Sequence, residues 1–115
     1  MSAVGPVAVV IPSWNSLGLL GPCLDSLERQ EAELELLVVD NGSGDGSVEY
    51  LRERRVATVE LPRNIGFAPA VNLGVARTAA AAVLVLNADT VLETGCVRDL
   101  AAALAADPGL GGVQP

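Results

Sequence analysis

Val83-Leu84-Val85-Leu86-Asn87-Ala88-Asp89-Thr90 decides the fold: four apolar residues run straight into Asn-x-Asp, and a helical pattern follows from Thr94. A short, wholly apolar run of this kind predicts a strand buried on both faces, as in a parallel sheet flanked by helices. Ligands in open α/β sheets gather beyond the carboxyl ends of such strands, which is where Asp89 falls. Its carboxylate is a hard ligand, suited to Mg²⁺ or Mn²⁺ that also grips phosphate oxygens. Alone, an Asn-x-Asp is more often a cap or a turn. The rest of the chain changes that balance.

Outward from this stretch, strand and helix patterns alternate. Val7 to Ile11 predicts a buried first strand ended by Pro12. Leu17, Leu20, Leu24 and Leu27 then recur at helical spacing, and Pro22 belongs in a first turn, which starts the helix near Leu19 and ends it at about Arg29. Leu34 to Asp40 predicts a second strand, and Ser47 a cap for a short helix with Val48 and Leu51 inward. Val56 to Leu61 predicts a weaker third strand, followed by a helix of small residues over 68–78. The fourth strand spans Val83 to Leu86. A last helix, capped by Thr94, turns Val97, Leu100 and Leu104 inward and stops at Asp107-Pro108; the tail from Gly109 to Pro115 can begin a fifth strand. Such alternation predicts one α/β domain over 1–115, a mostly parallel sheet with helices on both faces.

Composition narrows the chemistry. The 115 residues carry fourteen acids against seven basic residues, all arginine, for a net charge of −7. That balance argues against nucleic-acid binding, which needs cations on phosphates. With no histidine, His-based zinc sites, His bases and Ser-His-Asp triads are excluded. With no lysine, so are the P-loop lysine and Schiff-base chemistry. Cys23 and Cys96 read as buried small hydrophobes of a reducing compartment. No basic leader and no apolar run of membrane-spanning length is visible, so a cytoplasmic location is expected.

Each predicted strand is followed by polar residues: Pro12, Ser13 and Asn15 after the first, Asp40, Asn41 and Ser43 after the second. Arg63, Asn64 and Gly66 follow the third, Asn87 and Asp89 the fourth. In a parallel sheet all four groups emerge on one rim. Any one of them has a structural reading as turn, cap or solvated charge; four on one rim suggest a shared ligand.

The segments Val9-Val10-Ile11-Pro12-Ser13-Trp14-Asn15, Val38 to Ser47, Arg63 to Gly74 and Leu86 to Thr90 resemble, in order and spacing, the N-terminal half of a family 2 glycosyltransferase of the GT-A fold. Arg63-Asn64-Ile65-Gly66-Phe67 and the Asn-x-Asp form are similar to a rhamnosyltransferase-like branch. The resemblance implies a nucleotide site lined by Pro12, Ser13, Asn15, Asp40, Asn41, Arg63, Asn64 and Asn87, with Asp40 accepting hydrogen bonds from base or ribose. It implies Asp89 as the ligand of Mg²⁺ or Mn²⁺ on the diphosphate, with Asn87 where the family often has a second Asp.

The implied activity is inverting transfer of a sugar from a UDP or dTDP type donor to a carbohydrate or lipid-linked acceptor. The catalytic base is expected in a further half of the fold, so the chain reads as a truncated, donor-binding portion. Apolar surface left uncovered by truncation predicts a homodimer. The competing reading is a non-catalytic nucleotide-binding or interaction module that keeps the fold.

Overall fold

A computed structural model describes residues 5–107. Strand β1 (Val7–Ser13) leads through helix α1 (Leu17–Glu28) to β2 (Leu34–Asp40), then α2 (Ser47–Glu53) and β3 (Thr58–Glu60). Helix α3 (Phe67–Ala76), β4 (Ala82–Val85) and α4 (Cys96–Ala106) complete the described elements. The strands form one sheet in the order β3-β2-β1-β4, every pair parallel. The expected α/β layering is present, and the strand order reverses between β1 and β4. The tail from Gly109, with its expected fifth strand, lies outside the described residues.

Alternation along β1 divides the core. Val7, Val9 and Ile11 face Leu20, Cys23, Leu24 and Leu27 of α1, Leu51 of α2 and Val97 of α4. Val10 faces the other way, with Val39 of β2 and Ala70 of α3. Helix α3 approaches closely because Gly74 has no side chain: a Cβ there would lie 2.5 Å from Val10 Cγ1.

Several boundaries differ from expectation. Helix α1 begins at Leu17, so Pro22 lies past the first turn rather than in it. The carbonyl that Pro22 cannot bond belongs to exposed Gly18, where water can satisfy it. The early start is supported from outside the helix, since the Leu17 N–H donates to Asp45 Oδ2 at 3.0 Å. Ser47 is the first residue of α2, not its cap; its hydroxyl donates to Asp45 Oδ1 at 2.5 Å. Gly95, at φ 87°, occupies the N-cap of α4 in place of Thr94. Helix α3 stops at Ala76, short of Thr78, and β3 keeps three of its six expected residues.

The deciding stretch also differs in burial. Val83 and Val85 are 36% and 41% exposed. Among the described residues strand β4 is a sheet edge, and α3, the helix on that face, packs on β1 and β2. A run of apolar residues reports that both faces can be covered, not that both are.

Candidate nucleotide site at the strand switch point

Strand β1 carries Pro12 one residue before its end, which a central strand rarely tolerates. The hydrogen bonds explain it. Val10 O accepts from Leu86 N–H on the β4 side at 3.0 Å, and Ser13 O accepts from Asn41 N–H on the β2 side at 2.7 Å. Pro12, two residues on from Val10, therefore turns its missing donor toward β4, which has already ended at Val85. The edge between β1 and β4 opens there. Pro12, Ser16, Leu19, Asn87, Ala88 and Asp89 line a shallow depression of ≈ 250 Å³.

Asp40 ends β2 and Asp89 follows β4, on either side of β1. Two strand spacings place the two strand ends roughly 10 Å apart on the same rim. Asp40 is 1% exposed. Its Oδ2 accepts from Ser43 N–H at 3.0 Å, while Oδ1 is buried with no partner. Ser13, its register partner on β1, also has a buried Oγ with no partner. By strand alternation both project to the α1 face. A buried acceptor left unpaired is costly, so an arriving donor group would be strongly favoured.

Asn15, at φ 48°, and Asp45 latch the first two loops together. The Asn15 N–H donates to Ser43 Oγ at 2.9 Å, and the Gly44 N–H to Asn15 Oδ1 at 2.9 Å. Asp45 receives Leu17 N–H and both donors of Ser47. The Ser47 hydroxyl, and then the Leu17 and Ser47 N–H groups, hold its carboxyl below the usual carboxylate range against some desolvation.

Asn41 is a strut between loops. Its Nδ2 donates to Gly66 O at 3.1 Å and its Oδ1 accepts from Ile65 N–H at 2.8 Å. Beside it Gly42, at φ 81°, admits the Arg63 backbone, 2.6 Å from where a Cβ would sit. Arg63 and Asn64 are thereby brought to the rim with exposed side chains, and Asn64 Oδ1 accepts from Gly66 N–H at 2.8 Å.

Asn87 and Asp89 are both exposed at the depression. Among the described residues no group of three or more His, Cys, Asp or Glu could hold a metal alone. One carboxylate beside a neutral amide fits an ion that takes its other ligands from phosphate and water, the habit of Mg²⁺ and of chemically similar Mn²⁺.

Sequence reading omitted Trp14. It is one of three aromatic residues, stands 54% exposed on the rim between Ser13 and Asn15, and offers a stacking face. The rarity of aromatics, set in a loop beside the first motif, was the available signal. It omitted Ser26 and Gln30 of the α1 segment as well; nothing local marks them.

A parallel sheet whose polar loops converge at a strand switch point is the architecture of a nucleotide-binding α/β domain. The chain belongs to Glycosyl transferase family 2, whose sequence model matches residues 8–113. It is 34% identical over 114 residues to an N-acetylglucosaminyltransferase of Rhizobium sp. (strain N33), covering 91% of this chain and 25% of that protein. The mannosyltransferase PcManGT from Pyrobaculum calidifontis, solved with GDP-Man and Mn²⁺, superposes with a TM-score of 0.80 at 30% identity, over 91% of this chain and 33% of that one. S. aureus TarS 1-349 in complex with UDP-GlcNAc shares the fold, with a TM-score of 0.80 at 22% identity over 95% of this chain and 37% of that one. The chain thus spans about a quarter of the length of the first curated relative. No helix among the described residues is long and apolar enough to cross a membrane.

Proposed function

We propose that these residues bind the donor of a nucleotide-sugar glycosyltransferase, laid across β1 from Asp40 to Asp89. The observation that carries the reading is the unpartnered Asp40 Oδ1 on the same rim as the exposed Asp89 turn. Asp40 accepts from a base or ribose donor, Ser13 supplies a neighbouring hydroxyl, and Trp14 a stacking face. Pro12 and Asn87 border the diphosphate, and Arg63 and Asn64 close the far wall. Asn15 and Asn41 serve the same site by holding its loops. Asp89 would hold Mg²⁺ or Mn²⁺, which when bound neutralises charge on the leaving nucleoside diphosphate.

The reading assigns donor binding to this segment, and to the intact protein inverting transfer to a carbohydrate or lipid-linked acceptor. It assigns proton abstraction to no residue here: Asp99 leans on Arg98 at 3.4 Å, and Glu93 is exposed beside a different depression. Two free thiols suit the cytoplasm, and the exposed Val75, Val83 and Val85 are the surface for self-association.

Calorimetric titration with UDP, dTDP and GDP, each with Mn²⁺ and again after chelation, tests the reading. Binding of at least one nucleotide, tightened by Mn²⁺ and lost in Asp40→Ala, is expected. No binding of any under either condition would refute it. Transfer assays on a longer chain, with dTDP-rhamnose among the donors, test the rhamnosyltransferase-like branch and separate an enzyme from a non-catalytic module.

A further inference from the structure

The turn that carries Asp89 is firmly held on one side and irregular on the other. Thr90 N–H closes it onto Asn87 O at 3.0 Å, and Leu86 N–H ties its entry to β1. Beyond Thr90 the backbone reaches Gly95 without regular structure. A carboxylate that must meet a cation on a diphosphate tolerates little positional error.

Three residues at three- and four-residue spacing along one side of the α1 segment meet this stretch. Cys23 Sγ lies 4.0 Å from Asn87 O. Ser26, fully buried, donates its hydroxyl to Cys23 O at 2.7 Å and accepts Leu92 N–H at 3.0 Å. Gln30, just past the helix end, donates to Ser26 O at 3.1 Å and to Glu93 O at 2.9 Å. Its Oε1 accepts Val97 N–H at 3.1 Å. Val97 is the second residue of α4, a helix with no side-chain cap of its own, so Gln30 satisfies one of its otherwise unbonded donors.

We infer that Ser26 and Gln30 are positioning residues for the acidic turn: they fix the 90–97 segment to α1, whose other end borders the depression at Leu19, and so hold Asp89 at a set place relative to Pro12 and the diphosphate path. This inference rests on the donor-binding reading. The competing account is that burial of Ala88 and Leu92, 6% and 8% exposed, positions the turn unaided.

The test compares UDP affinity with Mn²⁺ and with chelator, measured calorimetrically on Ser26→Ala, Gln30→Leu, Gln30→Glu and Asp89→Asn. The ratio of the two affinities isolates the metal-dependent gain. Ser26→Ala and Gln30→Leu should each cut that gain about tenfold, the lower end for groups that orient metal ligands, with chelator-measured affinity unchanged. Gln30→Glu, which keeps an acceptor for Val97 but offers Glu93 no donor, should fall between. An unchanged gain in Ser26→Ala and Gln30→Leu, or equal loss of both affinities, overturns the inference.

Asp89→Asn separates the two levels. If it abolishes the gain while the α1 variants keep it, the positioning role alone fails. If it leaves the gain intact, or if the unsubstituted protein shows none, the metal assignment and the inference fail together. Should Ser26→Ala not fold at the assay temperature by circular dichroism, the half-buried Gln30 decides.

Discussion

Replacing Gly74 with alanine should destabilise the protein, although alanine is the better helix former. The added methyl would lie 2.5 Å from Val10 Cγ1 and 3.0 Å from Val39 Cγ2, where carbon atoms prefer about 3.5–4.0 Å. Both valines are fully buried, stiff at χ1 and fixed in the two middle strands, so neither can swing away. Helix α3 must move off the sheet instead. Overpacking of this kind costs about 1–3 kcal/mol, against a propensity gain of about 1 kcal/mol. A clash with two immobile valines at once takes the upper part of that range, leaving a net loss of about 1–2 kcal/mol, which in a domain of this size lowers the thermal midpoint by roughly 4–8 °C. Gly18→Ala is the matched control: it is helical and has nothing within 4 Å of its Cβ position, so it should gain about 0.5 kcal/mol. Urea titration at fixed pH measures both. A Gly74→Ala protein as stable as its parent would mean that α3 does not seat on β1 and β2 as described.

Asp45→Asn isolates charge at the latch between loops. Because the folded carboxyl titrates below its usual value, its stabilisation is present above the unfolded pKa and lost as pH falls through the lower folded one. The stability difference between parent and Asp45→Asn should therefore be greatest near neutrality and shrink below about pH 4; a constant difference from pH 7 to pH 3 contradicts this. Gly42→Ala adds a Cβ 2.6 Å from the Arg63 backbone at φ 81°, so faster hydrogen exchange at Ile65 and weaker nucleotide binding should appear together. Asn41→Leu leaves the Ile65 N–H unpaired in a part-buried setting, a loss of about 1–3 kcal/mol by urea titration; a near-neutral result would show that water replaces the strut. Cys23, whose thiol is pushed up by burial first and by the negative charge of Asp89 second, should resist alkylation at pH 7 in the folded protein, and rapid labelling would mean that α1 opens.

Sequence reading located the rim better than it described it. The ends of β2 and β4 were legible to within a residue because each apolar run stops at a polar residue, and in a parallel sheet those stops share an edge; β1 instead runs on through Pro12 to Ser13, past its expected stop. Helix α1 was less legible because its start depends on Asp45, 28 residues later, and no local pattern around Pro22 contains that partner. The exposure of Val83 and Val85 was hidden because a strand's own residues do not record its place in the sheet.

The asparagines show a different limit. Their positions after the strands suggest a ligand for Asn15, Asn41 and Asn64, yet the structure uses each side chain to hold a loop backbone. Sequence can show that an amide lies near a site, but not whether its hydrogen bonds are already made. Asp40 has the opposite history. Nothing in Val39-Asp40-Asn41-Gly42 distinguishes a turn carboxylate from a binding one, and Oδ2 does serve the turn, through Ser43. The distinction comes from Oδ1, which is buried and unpaired opposite an equally unpaired Ser13 Oγ. A turn needs one of those oxygens; the second, kept out of water at a cost, is what a ligand would have to satisfy.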